Sequence, residues 1–384
     1  MPRQIEDALS RTKVPGLAVA VVSHDTVLYE SGFGVRDVST GVRVDPDTVF
    51  EIASLSKPIS ATILAKAMTI DPELTWSTPV RTLMPDMALA DPYVTQNITI
   101  GDFFAHRSGI PTSGGDDLED LGFDRDYILA HLREIPLQLL LNDGMRDGSA
   151  FIDSTPLNQA LSAQIVSSAP GDLDQRPSHY GFGMNVGSGA GGRVTLSHSG
   201  AFALGAATAL TLVPDLDLGI VVLTNGAPVG LPEAVAQTFF DQVMYGHATR
   251  DWVETMGGYF ANFNAPSCDL VGTQPPADAA ASGPASDYAG TYVSPYFGTL
   301  SVTEVGGRLR GALGPTGATT FDITPWNGDT MAYAPAGENA LPGSLSSVVF
   351  ARSQGAVSSV TLSYLNQYPH VAQPSGLGVF TRSG

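Results

Sequence analysis

Lysine is the scarcest charged residue in this chain of 384 residues, which contains only Lys13, Lys57 and Lys66. Acidic side chains outnumber basic ones by 38 to 19, and the formal net charge is −19. A surface of that sign repels nucleic acids and anionic membranes and favours solubility. The composition therefore argues against a nucleic-acid partner and against a membrane partner.

Cysteine and long apolar runs are scarce as well. Cys268 is the only cysteine, so no disulfide forms within the chain. Its surroundings, NAPSCDL, offer no metal-ligand neighbourhood, and we interpret it as structural. No apolar run is long enough to span a bilayer, and the N-terminal MPRQIEDALSRTKVPG lacks the apolar core of a signal peptide. We expect a cytoplasmic protein, while a processed form of an exported protein would begin in the same way.

The residues that are abundant predict strands and turns. Gly and Pro number 42 and 27. A hairpin is predicted around His24-Asp25, and the β-branched run LGIVVLTNG predicts a central strand. The stretch LPEAVAQTFFDQVMYG predicts a helix on that sheet. We therefore predict an α+β fold, an antiparallel sheet flanked by helices, followed by a small all-β barrel domain.

The predicted boundary between the two parts is a change in amino-acid composition and pattern. Residues 1–271 carry the sheet and its helices, and residues 272–286, GTQPPADAAASGPAS, form a linker with few anchoring side chains. Residues 287–384 are short alternating runs broken by Gly, Pro and Asn. That pattern is typical of a small barrel or sandwich.

The stretch EIASLSKPIS, residues 51–60, places one of the rare lysines three residues after a serine. If a helix begins there, Ser54 and Lys57 lie on one face a turn apart, while Ser56 points elsewhere. A serine hydroxyl needs a base before it becomes a nucleophile, and a partly buried lysine can be that base. On the spacing alone, a helix cap beside a solvated lysine is the better explanation.

Other segments give this motif a context. The hairpin VPGLAVAVV with GFGVRD precedes it, ITIGDFFAHRSGIP follows it, and LSHSGAFALG comes later. In this order they resemble the serine beta-lactamase and penicillin-binding protein superfamily, specifically its class C-like branch, which includes family VIII carboxylesterases and D-amino-acid peptidases. The family's H-x-S-G-x-P turn is matched by His106, Ser108, Gly109 and Pro111.

The resemblance implies a set of catalytic roles. Ser54 would be the acylated nucleophile, and Lys57 would accept its proton. The backbone amides of Ser54 and Ala201 would form the oxyanion hole. The family uses no metal and no organic cofactor, so we expect neither here.

The resemblance also implies binding and structural roles. His198, Ser199 and Gly200 stand where the family has its third motif, and they would line the edge strand beside the substrate. His106 would shape a turn without touching the substrate. Residues 287–384 resemble the lipocalin-like C-terminal domain of some family peptidases.

One motif of the family is missing. Members carry Tyr-x-Asn between the H-x-S-G turn and the third motif, and its tyrosine moves the proton. Between Pro111 and His198 the tyrosines are Tyr127 and Tyr180, and neither has an asparagine two residues on. The interval from His106 to His198 is also shorter than in family members. The segment before 136–137 resembles one ahead of the tyrosine motif and the segment after it resembles one well beyond the motif, which predicts a join there. Either the protein lacks most of the helical subdomain that carries this motif or the sequence omits it.

The leading functional hypothesis is a serine hydrolase that acylates Ser54 with an ester, or with a peptide or lactam amide. Such an enzyme would act on small molecules, and the sequence leaves its oligomeric state open. Esters or D-peptides are favoured over beta-lactams, because His198 replaces the lysine common in the lactamases. The rival hypothesis is a non-catalytic binding or scaffold protein that has lost the proton relay.

Overall fold

A computed structural model describes residues 1–24, 26–111, 114–136, 159–168, 176–189, 192–261, 263–367 and 374–383. The join predicted at 136–137 lies outside the described residues. Two compact units share the chain: the first contains residues 1–78, 99–106 and 141–265, and the second contains residues 79–98, 107–140 and 266–384. No helix in the described ranges is long and apolar enough to cross a membrane.

The first unit is built on one antiparallel sheet with the strand order β2-β1-β8-β7-β6-β5-β4-β3. Its strands are β1 Gly16–Ser23, β2 Thr26–Gly34, β3 Ile165–Ser168, β4 Ser178–Tyr180, β5 Asn185–Ser188, β6 Val194–Phe202, β7 Ala206–Val213 and β8 Leu218–Thr224. The predicted hairpin and central strands are therefore present. The prediction that the third motif lies on an edge strand is wrong, because β6 pairs with β5 on one side and with β7 on the other.

Both units contain helices. In chain order they are α1 Pro2–Thr12, α2 Ser56–Ile70, α3 Val80–Leu83, α4 Pro92–Asn97, α5 Ile100–Phe104, α6 Asp116–Asp120, α7 Arg125–His131, α8 Leu231–Tyr245, α9 Trp252–Phe260 and α10 Ala285–Tyr288. Helices α3, α4, α6, α7 and α10 belong to the second unit.

The core of the first unit lies between the sheet and helices α1 and α8. Alternate residues of β1 and β8 face it, as a period of two requires. Each fully buried aliphatic side chain contributes about 1.5–3 kcal/mol. The buried members include Ile5, Leu17, Val19, Val21, Ile220, Val222, Leu231, Val235 and Phe240.

Helix α2 forms where the sequence predicts it. Two of its large apolar residues point outward, since Ile59 and Ile63 are 50% and 65% exposed. The buried positions are Pro58, Ala61, Ala65 and Met68. Small side chains allow close approach: a Cβ on Gly183 would lie 2.8 Å from the Lys57 carbonyl oxygen. Small side chains and close backbone contact therefore decide which face of α2 is buried.

The second unit contains a closed barrel with the strand order β10-β11-β12-β13-β14-β15-β16-β9. Its strands are β9 Gly290–Ser294, β10 Gly298–Val305, β11 Arg308–Leu313, β12 Thr319–Asn327, β13 Thr330–Tyr333, β14 Ser346–Ser353, β15 Ala356–Leu362 and β16 Val379–Arg382. Large side chains fill its interior, among them Tyr292, Phe297, Leu300, Val360 and Phe380. The predicted fold class, an antiparallel sheet with helices followed by an all-β barrel, is confirmed. The lipocalin likeness stays a prediction.

The division into units differs from the one drawn at residues 271 and 287. Helices α6 and α7 group with the barrel because specific hydrogen bonds join them to it. The Tyr127 hydroxyl donates to the Tyr296 carbonyl at 3.1 Å, and the Tyr296 hydroxyl donates to Asp117 at 2.9 Å. The predicted linker is also attached, since the Ala280 amide donates to the Asn327 side chain at 2.9 Å.

Asp117 makes the stability of the second unit depend on pH. Burial raises the pKa of this carboxyl to about 6, although the Tyr296 hydroxyl bond opposes the shift. The folded state therefore holds a proton that the unfolded chain, with an ordinary Asp pKa near 3.9, releases earlier. The protonated carboxyl thereby contributes to the free energy of unfolding. This contribution is complete below about pH 4, is lost as the pH rises through 6, and amounts to at most about 3 kcal/mol.

We expect Asp117→Asn to stabilise the protein at pH 7 and to flatten the dependence of stability on pH between 4 and 6. The amide keeps an oxygen acceptor for Tyr296 and removes the charge. Denaturant unfolding at a series of pH values measures both effects. Asp116→Asn, at the exposed neighbour, is the control, and an equal effect in both variants would contradict the assignment to Asp117.

Candidate active site

The candidate nucleophile lies at the entrance to helix α2. Residues Ala53–Leu55 form a single 3₁₀ turn directly before α2 begins at Ser56. Ala53 has a φ of 46°, in the left-handed region that residues with a Cβ rarely adopt. Such a conformation costs about 1–3 kcal/mol and persists where the surroundings hold it. Ser54 follows this strained residue and is half-buried.

Lys57 meets Ser54 across one turn, as the spacing predicts. Its Nζ donates to Ser54 Oγ at 2.8 Å, and Lys57 is also half-buried. This distance lies within the reach needed for direct proton transfer. Ser56, by contrast, is exposed. The pairing selects Ser54 over Ser56 as the candidate nucleophile.

Strand β6 lies directly against the turn that carries Ser54. A Cβ on Gly200 would be 2.9 Å from the Ser54 amide nitrogen and 2.7 Å from the Ile52 carbonyl oxygen. From the neighbouring strand β7, the Thr208 hydroxyl donates to the same Ile52 carbonyl at 3.1 Å. The structure thus brings Gly200 of the third motif beside the nucleophile's backbone. Ala201 follows on β6, opposite Ala207 of β7, and its place in the oxyanion hole stays a prediction.

His198 is buried on β6 with both ring nitrogens engaged. The Tyr180 hydroxyl lies 2.9 Å from Nε2, and the Ser199 carbonyl oxygen lies 2.6 Å from Nδ1. Burial lowers the pKa of His198, a shift that the Ser199 carbonyl opposes and that the charge of Lys57 reinforces. His198 is therefore neutral at pH 7. In this arrangement its nitrogens are turned to the protein, and a direct contact with substrate through them needs a rearrangement.

His106 lies closer to this cluster than a turn-shaping role requires. Its ring packs edge-on against Tyr180, with centroids 5.1 Å apart. Desolvation of the ring, followed by the charge of Lys57, lowers the pKa of His106. Its φ of 55° fits the predicted turn. His106 therefore combines the turn geometry with a position among the groups around Lys57.

Ser199 uses its hydroxyl differently from the expectation. Side chains alternate along a strand, so Ser199 and His198 point to opposite faces of β6. Burial raises the pKa of the Glu233 carboxyl on helix α8, and the nearby Ser199 side chain opposes that rise. Ser199 is nevertheless exposed overall, and its contact with substrate stays a prediction.

A cavity of about 270 Å³ opens beside Lys57. Its lining is mainly apolar, with the lysine chain and two serines at its edge. The lining residues are Ser56, Lys57, Ser60, Phe103, Phe104, His106 and Gly183.

Sequence reasoning missed two residues of this region, Tyr180 and Glu233. Tyr180 was set aside because no asparagine follows it at the right spacing. Its signal was topological: Tyr180 and His198 lie on strands separated by β5 alone, which a correct strand order would have brought together. Glu233 gave no signal beyond an acidic residue in the first turn of a helix. Among the described residues, no cluster of three metal-ligating side chains is found.

Comparison with known proteins agrees with this geometry. Residues 2–139 match the beta-lactamase family, and residues 274–373 match a domain of unknown function, DUF3471. Over this N-terminal stretch the chain resembles the beta-lactamase and penicillin-binding protein superfamily. The predicted resemblance is therefore confirmed, and the superfamily consists in general of serine hydrolases.

Individual relatives match the chain over short stretches. Unguisins hydrolase ungD of Aspergillus violaceofuscus is 33% identical over 113 residues, 28% of this chain and 20% of that protein. Penicillin-binding protein 4 of Amycolatopsis lactamdurans is 38% identical over 110 residues, 27% of this chain and 28% of that protein. The chain thus spans between a fifth and about a quarter of the length of these curated relatives.

A solved structure matches over a greater length. The octameric penicillin-binding protein homologue from Pyrococcus abyssi covers 99% of both chains, with 14% identity and a TM-score of 0.46.

Gly200→Ala tests whether β6 sets the position of the nucleophile. The added Cβ would overlap the Ile52 carbonyl and press on the Ser54 amide, so the turn must move. A displacement near 1 Å in a catalytic group costs about 10²-fold. We therefore expect covalent labelling of Ser54 by a fluorophosphonate to slow by about that factor, measured by the rate of labelling.

Gly187→Ala on the neighbouring strand β5 is the matched control. A Cβ at Gly187 meets nothing within 4 Å, and its labelling rate should equal that of the unmodified protein. Unchanged labelling in Gly200→Ala would show that β6 does not position the nucleophile.

Proposed function

We propose that the chain is a serine hydrolase that forms an acyl-enzyme on Ser54. The observation that carries the proposal is the 2.8 Å hydrogen bond between Lys57 Nζ and Ser54 Oγ. A neutral Lys57 can take the hydroxyl proton along this bond while Oγ attacks a carbonyl carbon. The tetrahedral oxygen then needs two donors, and we assign these to the amides of Ser54 and Ala201.

The second half of the reaction returns the proton. The bond to the leaving group breaks, the leaving group departs with a proton held by Lys57, and the acyl group stays on Ser54. Water then attacks the ester carbonyl, gives its proton to Lys57, and releases the acid as Ser54 regains its hydroxyl hydrogen. No metal or organic cofactor enters these steps.

The substrates that suit this site are esters, with D-peptide or lactam amides as the harder class. An ester's alkoxide or phenolate departs more easily than an amide nitrogen, which must be protonated as it leaves. No Tyr-x-Asn stands between Pro111 and His198 to help with that proton. The related proteins are named for hydrolysis of unguisins and for binding of penicillin, and on that ground we include peptides and lactams among the acyl donors to test.

The missing tyrosine motif favours a second candidate function. A protein that keeps the fold and loses its proton relay would bind a ligand of the same shape without turning it over. Ser54 and Lys57 would then remain hydrogen-bonded but unreactive. One experiment distinguishes the two functions: the hydrolase reacts covalently with an activated ester or a fluorophosphonate, and the binding protein does not.

Ser54→Ala is expected to abolish covalent labelling by a fluorophosphonate or a penicillin, because it removes the hydroxyl oxygen that we propose forms the bond. Mass spectrometry of the labelled protein gives the extent and the site. Ser56→Ala, two residues along and exposed, is the control and should label fully. The assignment fails if Ser54→Ala still labels or if the label is found on Ser56.

Turnover should separate substrates by their leaving groups. Loss of one general acid or base costs about 10²–10⁴-fold in rate, and amides depend on that group most. We expect slow hydrolysis of p-nitrophenyl esters and little or none of unactivated amides. Parallel kinetics with an ester and an amide that share one acyl group measure the difference. Fast cleavage of the amide would mean that another proton donor serves the site.

A further inference from the structure

The pair formed by Tyr180 and His198 has a defined direction. The Ser199 carbonyl oxygen, 2.6 Å from His198 Nδ1, can only accept a hydrogen bond. Nδ1 must therefore carry the ring hydrogen. A neutral imidazole has one donor and one acceptor nitrogen, so Nε2 is the acceptor. The Tyr180 hydroxyl, 2.9 Å away, donates to it.

We propose that Tyr180 is a positioning residue of the active site, which holds the neutral ring of His198 in one tautomer and one orientation beside Lys57. Its hydroxyl donates to Nε2 from β4, while the Ser199 backbone binds Nδ1 from β6. Two bonds on opposite ring nitrogens fix the rotation of the ring as well as its tautomer.

The surroundings of His198 support this role. The ionisable groups that bear on its ring are Tyr180 from β4, His106 from the turn after α5, and Lys57 from α2. Burial raises the pKa of Tyr180 to about 12, so its hydroxyl keeps its hydrogen at neutral pH. His106 and His198 both have lowered pKa values. The donor therefore stays a donor, and the ring it binds stays neutral.

The link to catalysis rests on the proposed function. Gly200, two residues after His198 on β6, packs against the backbone of Ser54, and the charge of Lys57 contributes to the lowered pKa of His198. The direction of the imidazole dipole therefore affects the ease with which Lys57 takes and returns a proton. If the ring flipped or changed its tautomer, the partial charges that it directs toward Lys57 would change. The expected defect without Tyr180 therefore lies in kcat, the chemical step, more than in KM.

Nitrogen NMR of the unmodified full-length protein tests the geometry without any substrate. Histidine labelled with ¹⁵N gives separate signals for protonated and acceptor nitrogens, and His198→Asn assigns the signals of that ring. The expected result at pH 7 is a protonated Nδ1 and an acceptor Nε2 shifted by a hydrogen bond. A protonated Nε2, or a mixture of both tautomers, overturns the proposal.

Tyr180→Phe tests the hydroxyl alone, because the ring that packs on His106 is kept. The Nε2 signal should move toward the value of a free acceptor while the Nδ1 signal stays. For ester hydrolysis, the loss of one hydrogen bond predicts a fall in kcat of about 2- to 12-fold, with KM nearly unchanged. Tyr127→Phe is the matched control, because it removes a tyrosine hydroxyl that makes a hydrogen bond of similar length in the second unit. It should change neither the His198 nitrogen signals nor the rate of ester hydrolysis.

The two arms fail separately. An unchanged Nε2 signal in a folded Tyr180→Phe protein refutes the positioning role, whatever the activity. A displaced signal with unchanged kcat refutes the catalytic part of the proposal. If the unmodified protein hydrolyses no ester while its His198 shows the expected tautomer, the proposed function fails and the Tyr180–His198 geometry stands. Should Tyr180→Phe not fold, the tautomer in the unmodified protein still decides.

Discussion

The narrow approach of strand β6 to the turn before helix α2 is the constraint on which the site depends. Gly200 is in such close contact with the Ile52 carbonyl and the Ser54 amide that no side chain fits between them. Thr208, one strand further, binds the same carbonyl. The sheet thus holds the backbone of Ser54, the proposed nucleophile, and helix α2 only has to bring Lys57 to its hydroxyl. This division explains why a residue as unfavourable as a left-handed Ala53 is retained immediately before the serine.

Much of this arrangement is local, and local features could be predicted from the sequence. The spacing of Ser54 and Lys57 fixes their distance once a helix begins there, and the β-branched runs predict the strands of the sheet. The alternating pattern after residue 287 predicts the barrel. In each case, residues near one another in the chain carry the whole signal.

The parts that could not be predicted depend on neighbours distant in sequence. The buried face of α2 follows from the backbone of Gly183, and the role of Tyr180 follows from the strand order β6-β5-β4. The pairing of Ser199 with Glu233 needs the helix α8 in place. None of these partners can be predicted from the apolar periodicity of a strand or a helix. The periodicity indicates which residues share a face, and it does not indicate which element packs against that face.

The second unit has a consequence for the order in which the chain folds. Asp117 and its partner Tyr296 are separated by 179 residues, and Tyr127 and its partner by 169. Synthesis from the N-terminus therefore delivers helices α6 and α7 long before the barrel that binds them. Contacts of such separation form slowly, and the surfaces that await them are exposed to wrong pairings meanwhile. The acidic residues of α6 give that waiting segment a negative charge, which disfavours its association with other chains; they are Asp116, Asp117, Glu119 and Asp120.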